Sequence, residues 1–92
     1  MKLIDLVKSR NRLKEELIIF IEDKDNFNSN IILSEAEDGD EGIKIEQGKR
    51  YYYLIEVFLA KEFIEDWIQS LNYRPTKIDI AKRLFEYAIN DA

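Results

Sequence analysis

Carboxylates are the groups with chemical potential that this sequence holds in quantity. The stretch Ser34 to Gly42 carries Glu35, Glu37, Asp38, Asp40 and Glu41 together with two of the chain's three glycines. Such a cluster could bind a metal, work as an acid–base pair, or dock onto a basic partner. Asp38-Gly39-Asp40-Glu41 and Asp23-Lys24-Asp25 each look like a fragment of a calcium loop. Counted from Asp23, however, position six is Asn28 where the loop needs Gly, and position twelve is Ser34 where it needs Glu. No metal site is expected. For acid–base work one carboxyl needs an apolar setting that raises its pKa, and no pair here stands in one. Two readings remain for the five acids: a solvated loop, as charge runs usually are, or a docking surface for a basic partner.

The rest of the inventory narrows the chemistry further. Histidine and cysteine are both absent, which removes His-based proton transfer, Ser-His and Cys-His nucleophiles and the usual transition-metal ligands. Three scattered glycines cannot build a phosphate-binding loop. Neither catalytic residues nor a cofactor are expected, and the chain is read as a non-enzyme. Tyr51-Tyr52-Tyr53, beside Lys49 and Arg50, has the composition of a base-stacking platform. Tyrosines on a strand also serve as core packing with a hydroxyl at the rim, and that reading is preferred.

Charge distribution says more than the net value of −5. Residues 1–14 hold five Lys or Arg against Asp5, and residues 15–46 hold eleven acids against Lys24 and Lys44. Residues 47–92 carry seven of each sign. The acidic middle would repel a polyanion, so nucleic acid is a disfavoured partner and a protein with a basic surface a favoured one. Nucleic-acid binding would need Lys8, Arg10, Arg12, Lys14, Lys49 and Arg50 to converge. No apolar run approaches the roughly 20 residues that span a bilayer, and no secretory pattern opens the chain. With no cysteine, a reducing, cytoplasmic setting is expected.

These residues must be positioned by a small framework. Ninety-two residues suit one domain, residues 1–92, with one modest core. Lys2 to about Arg12 reads as a helix with Leu3, Leu6 and Val7 on one face. Leu17 to Ile21 is apolar on both faces and of strand length, as an interior strand would be. Asp25 to Asn30 is rich in turn formers, and Ile31-Ile32-Leu33 returns antiparallel. Ile43-Lys44-Ile45-Glu46 alternates, with Ile43 and Ile45 expected to face inward. A turn at Gln47 to Arg50, with Gly48 at positive φ, leads into a strand over Tyr51–Val57.

From about Leu59 the period becomes helical, with Ala60, Phe63, Ile64, Trp67, Ile68 and Leu71 forming one stripe and Lys61, Glu62, Glu65 and Asp66 on the other side. Pro75 separates this helix from a last one. That helix is opened by a Thr76–Asp79 capping box with a Pro75–Ile80 staple, and places Ile80, Ala81, Leu84, Phe85, Ala88 and Ile89 inward. The expected fold class is α+β, in the order α-β-β-β-β-α-α. It is an antiparallel sheet of three or four strands with helices mainly on one face.

KLIDLVKSR at the start, LIIFIED before an acidic loop, and RLFEYAINDA at the end resemble a loose group of small acidic bacterial and phage proteins of unknown function, some of them similar to immunity proteins of toxin systems. The resemblance implies a single-domain binder and assigns no residue a role. The functional expectation is a small acidic protein-interaction domain that covers a basic site on another protein through Glu35, Glu37, Asp38, Asp40 and Glu41. The alternative is an accessory module acting through homo-oligomerisation. In that case a homodimer would form through a sheet edge or an aromatic patch near Tyr73 and Tyr87.

Overall fold

The apolar run before Glu22 becomes a strand inside the sheet, because only a strand with neighbours on both sides can bury both of its faces. A computed structural model describes residues 1–35 and 42–91 of the chain. Helix α1 (Leu3–Lys8) and a 3-10 turn (Arg10–Arg12) lead to β1 (Ile18–Ile21) and β2 (Ile31–Ser34). Then come β3 (Ile43–Glu46), β4 (Lys49–Glu56), α2 (Val57–Ser70) and α3 (Lys77–Asp91). The four strands form one antiparallel sheet in the order β2-β1-β4-β3, with the helices on one face. The chain therefore passes from one edge strand directly to the other. The first helix is shorter than its periodicity suggested, because Ser9 turns its hydroxyl back to the Asp5 carbonyl at 3.0 Å and competes with the helical ladder.

Between sheet and helices lies the core. Leu3, Leu6 and Val7 of α1 join Ile19 and Ile21 of β1, Ile31, Leu54 and Ile55. Val57, Ala60 and Ile64 of α2 and Ile80, Ala81, Leu84 and Ala88 of α3 complete it. A register shift between β1 and β4 sets Ile19 opposite Ile55 but Phe20 opposite Tyr53, leaving Leu54 as the extra residue. Such a bulge lets neighbouring residues of one strand point the same way, which accounts for Leu54 and Ile55 both being buried.

Turn chemistry follows the residue types. Gln47 and Gly48 both have positive φ, 53° and 79°, as a two-residue hairpin turn of the primed type requires. A β-carbon at Gly48 would meet nothing within 4 Å, so its only penalty is backbone strain. Gly48→Ala should cost about 1 kcal/mol, read as a lower urea midpoint with unchanged m-value. In the β1–β2 connection, Asp23 Oδ1 accepts the Asp25 N–H at 2.8 Å and Asn26 Oδ1 accepts the Asn28 N–H at 2.9 Å. Phe27 pins that connection to α3, edge-on to Phe85 at 6.3 Å. The Thr76 hydroxyl accepts the Asp79 N–H at 3.2 Å and Asp79 accepts the Thr76 N–H at 3.3 Å, completing the capping box.

Three expectations about side chains are corrected. Ile43 and Ile45 are not buried but stand 42 % and 69 % exposed. They lie on the helix-facing side of the sheet, the side away from Lys44 and Phe20, but their strand is an edge that the helices do not cover. Ile89, near the end of α3, is 39 % exposed for the same reason of reach. The change to helix comes at Val57, earlier than the sequence period indicates, because Val57 N–H bonds the Leu17 carbonyl at 2.9 Å and turns the chain off the sheet.

Opposite the helices, Phe20 is buried (1 % exposed) with Tyr53 edge-on at 6.4 Å and the Lys44 ammonium 5.9 Å from its ring centre. Burial first, then the Glu56 carboxylate, raises the Tyr53 hydroxyl above its ordinary value of 10.0. A tyrosine whose folded pKa exceeds its unfolded one adds stability that is intact below pH 10 and lost as pH rises through the folded value. Tyr53→Phe should therefore flatten the loss of stability above pH 10, measured by urea unfolding between pH 9 and 11.

A candidate protein-docking surface

Helical spacing creates an exterior on α2 opposite the buried Val57, Ala60 and Ile64. Phe58, Lys61, Glu62, Glu65 and Asp66 follow one another at three- and four-residue steps, and so share one face. Together with Glu15 they line a shallow depression of about 480 Å³. Phe58, the aromatic residue of that lining, is 42 % exposed. Two cations enter the group: Lys61 pairs with Glu15 at 3.3 Å, and Arg10 reaches Glu65 at 3.9 Å. Arg10 is further held by the Val7 carbonyl at 2.8 Å. Glu62 and Asp66 are exposed and have no cation within ion-pair distance among the described residues.

Sheet register brings further acids to the same end. Ile18 stands opposite both Ser34 and Glu56. The exposed Glu35, which follows Ser34, and the Glu15-Glu16 pair before β1 therefore lie at the end of the sheet where α2 begins. Of the five expected docking acids, Glu35 alone falls within the described structure. Glu37, Asp38, Asp40 and Glu41 lie outside the described residues. Glu22, Asp23 and Asp25 do not share this location, since they follow Ile21 at the opposite end of β1. There Glu22 meets Lys49 at 3.8 Å, and the Lys2 ammonium binds the Asn28 carbonyl.

The basic residues do not form one surface either. Arg10 is drawn to α2 and Lys14 precedes β1 at the acidic end, whereas Lys49 and Arg50 begin β4 at the other end. The two tyrosines named for an aromatic patch differ in setting. Tyr73 is 60 % exposed, but Tyr87 is half-buried and stacked on Phe63 at 4.1 Å.

Sequence reasoning placed Lys61, Glu62, Glu65 and Asp66 outward but missed Phe58, which fell between a strand read to Val57 and a helix read from about Leu59. The signal was present: Phe58 lies four residues before Glu62 and seven before Glu65. It became readable only once the helix was known to start at Val57. Exposed carboxylates around an aromatic ring can attract and seat a cationic surface. No helix among the described residues is long and apolar enough to cross a membrane. No family model, curated protein or solved structure matches the chain.

Proposed function

We propose that the protein is a small acidic interaction domain that binds a basic site on another protein, in the manner of an inhibitor or immunity factor, and acts in the cytoplasm without catalysing a reaction. The observation that carries this reading is Phe58, an exposed aromatic ring bordered by Glu15, Glu62, Glu65 and Asp66. Interfaces draw most of their affinity from a few central anchors, often aromatic, while peripheral charges set the rate and choice of encounter. A partner would place lysines or arginines against the carboxylates and an apolar contact on Phe58. Glu35 extends the acidic surface at the same end of the sheet.

The test is capture of partners from the native host's lysate at low and high salt, with wild type and Glu62→Lys/Asp66→Lys in parallel. Glu65 is left unchanged because it pairs with Arg10. One basic protein retained by wild type at low salt, and lost both at high salt and with the variant, is the expected result. A variant that captures the same partner equally well would remove α2 from the interface.

A further inference from the structure

The two edges of the sheet are not equivalent. At the β2 edge the outward N–H of Ile31 is already taken by the Met1 carbonyl at 2.7 Å. At the β3 edge, the described residues place no strand beyond Ile43–Glu46. Tyr53 N–H bonds the Gly42 carbonyl at 2.8 Å, so Gly42, Lys44 and Glu46 turn their backbone groups toward β4. Alternation of the ladder then points the N–H and C=O of Ile43 and Ile45 away from it. Those same two residues carry exposed apolar side chains on a strand of only four residues.

We propose that this edge pairs with a second copy of the chain, antiparallel, about a two-fold axis at Ile45. The phase of the backbone groups allows two registers near the strand centre, and charge separates them. In one, Lys44 stands directly opposite Lys44 of the second copy, and like charges so placed repel. In the other, Ile45 faces Ile45 and exchanges both hydrogen bonds with it, while Lys44 faces Glu46 of the second copy on each side of the axis. Opposite charges in that position attract, and the two Ile43 side chains lie diagonal to Ile45 of the other copy, within reach across the strands. The strand is thus self-complementary in backbone, apolar contact and charge in a single register. An isologous contact of this kind closes at two copies, giving one eight-stranded sheet. Lys44 lies over Phe20, so its side chain swings from there toward the strand edge to meet Glu46 of the second copy.

None of the α2 surface residues lies on β3, so this proposal and the partner-docking reading stand or fall separately. The chain has no cysteine, which makes single introduced thiols specific probes. Pairing at Ile45 sets the two Ile45 Cα atoms about 5.5 Å apart, within disulfide range. It holds the Lys44 pair about 8 Å apart and the Ile43 pair about 14 Å apart, from a rise of about 3.4 Å per residue. Under mild oxidation Ile45→Cys should cross-link at least about tenfold faster than Lys44→Cys or Ile43→Cys.

Sedimentation velocity across a concentration series should show monomer passing to dimer. Glu46→Lys should weaken the dimer about tenfold or more, because both symmetric pairs become repulsive, and Lys44→Glu/Glu46→Lys should restore most of it. A strict monomer up to about 1 mM, equal cross-linking at all three positions, or no rescue by the double exchange would each overturn the pairing.

Discussion

Phe20→Ala should remove about 3–5 kcal/mol of folding stability. A chain of 92 residues has about 5–14 kcal/mol in total, so this one change takes a large share of it. The reason is local. Phe20 sits on an interior strand, is 1 % exposed, and gives its ring edge and face to Tyr53 and Lys44. Truncation loses the transfer energy of the ring, leaves a cavity beside Tyr53 and Lys44, and abolishes an aromatic pair worth about 0.5–1.5 kcal/mol beyond its area. At about 4–8 °C per kcal/mol for a domain of this size, the midpoint of thermal unfolding should fall by at least about 12 °C. Ile89→Ala is the comparison, since a residue 39 % exposed at the end of a helix should change stability much less, by about 0.5–1 kcal/mol. Similar losses for the two variants would mean that the face of the sheet opposite the helices contributes little.

The second large effect concerns binding. Glu62→Lys/Asp66→Lys changes the charge of the α2 surface by four units, and should slow association with a basic partner about 10- to 100-fold at low ionic strength. The difference should shrink as salt is raised toward 1 M, where screening acts within about 3 Å. Phe58→Ala should behave differently. Losing a central aromatic contact speeds dissociation, weakens affinity about tenfold or more, and does so at every salt concentration. Surface plasmon resonance at several ionic strengths separates the two. If Phe58→Ala leaves the dissociation rate unchanged, the ring is peripheral and the carboxylates act alone. Neither variant should lower stability by more than about 0.5 kcal/mol, because Phe58, Glu62 and Asp66 are exposed.

How much of this was legible beforehand depended on whether the deciding interaction was local. The all-apolar Ile18–Ile21 could only be an interior strand, and β1 is interior. Thr76 and Asp79 lie three residues apart, and their reciprocal bonds need nothing from the rest of the chain. Gly48 announced its positive φ in the same way. The element order α-β-β-β-β-α-α followed from such short-range signals, read in series.

What the sequence by itself determined, then, was the set of elements, their order, and the sign and separation of the charges. Tertiary structure decided which strand became an edge. Ile43 and Ile45 alternate as buried residues do, yet they are exposed because three helices cover the centre of the sheet and do not reach β3. It also decided which acids share a surface. Glu15 and Glu62 line one depression although they are far apart in sequence, and Glu35 lies at the same end of the sheet because the register sets Ile18 against both Ser34 and Glu56. Strand order and register arise from contacts between residues dozens of positions apart, and such contacts leave no mark on the local pattern of either partner.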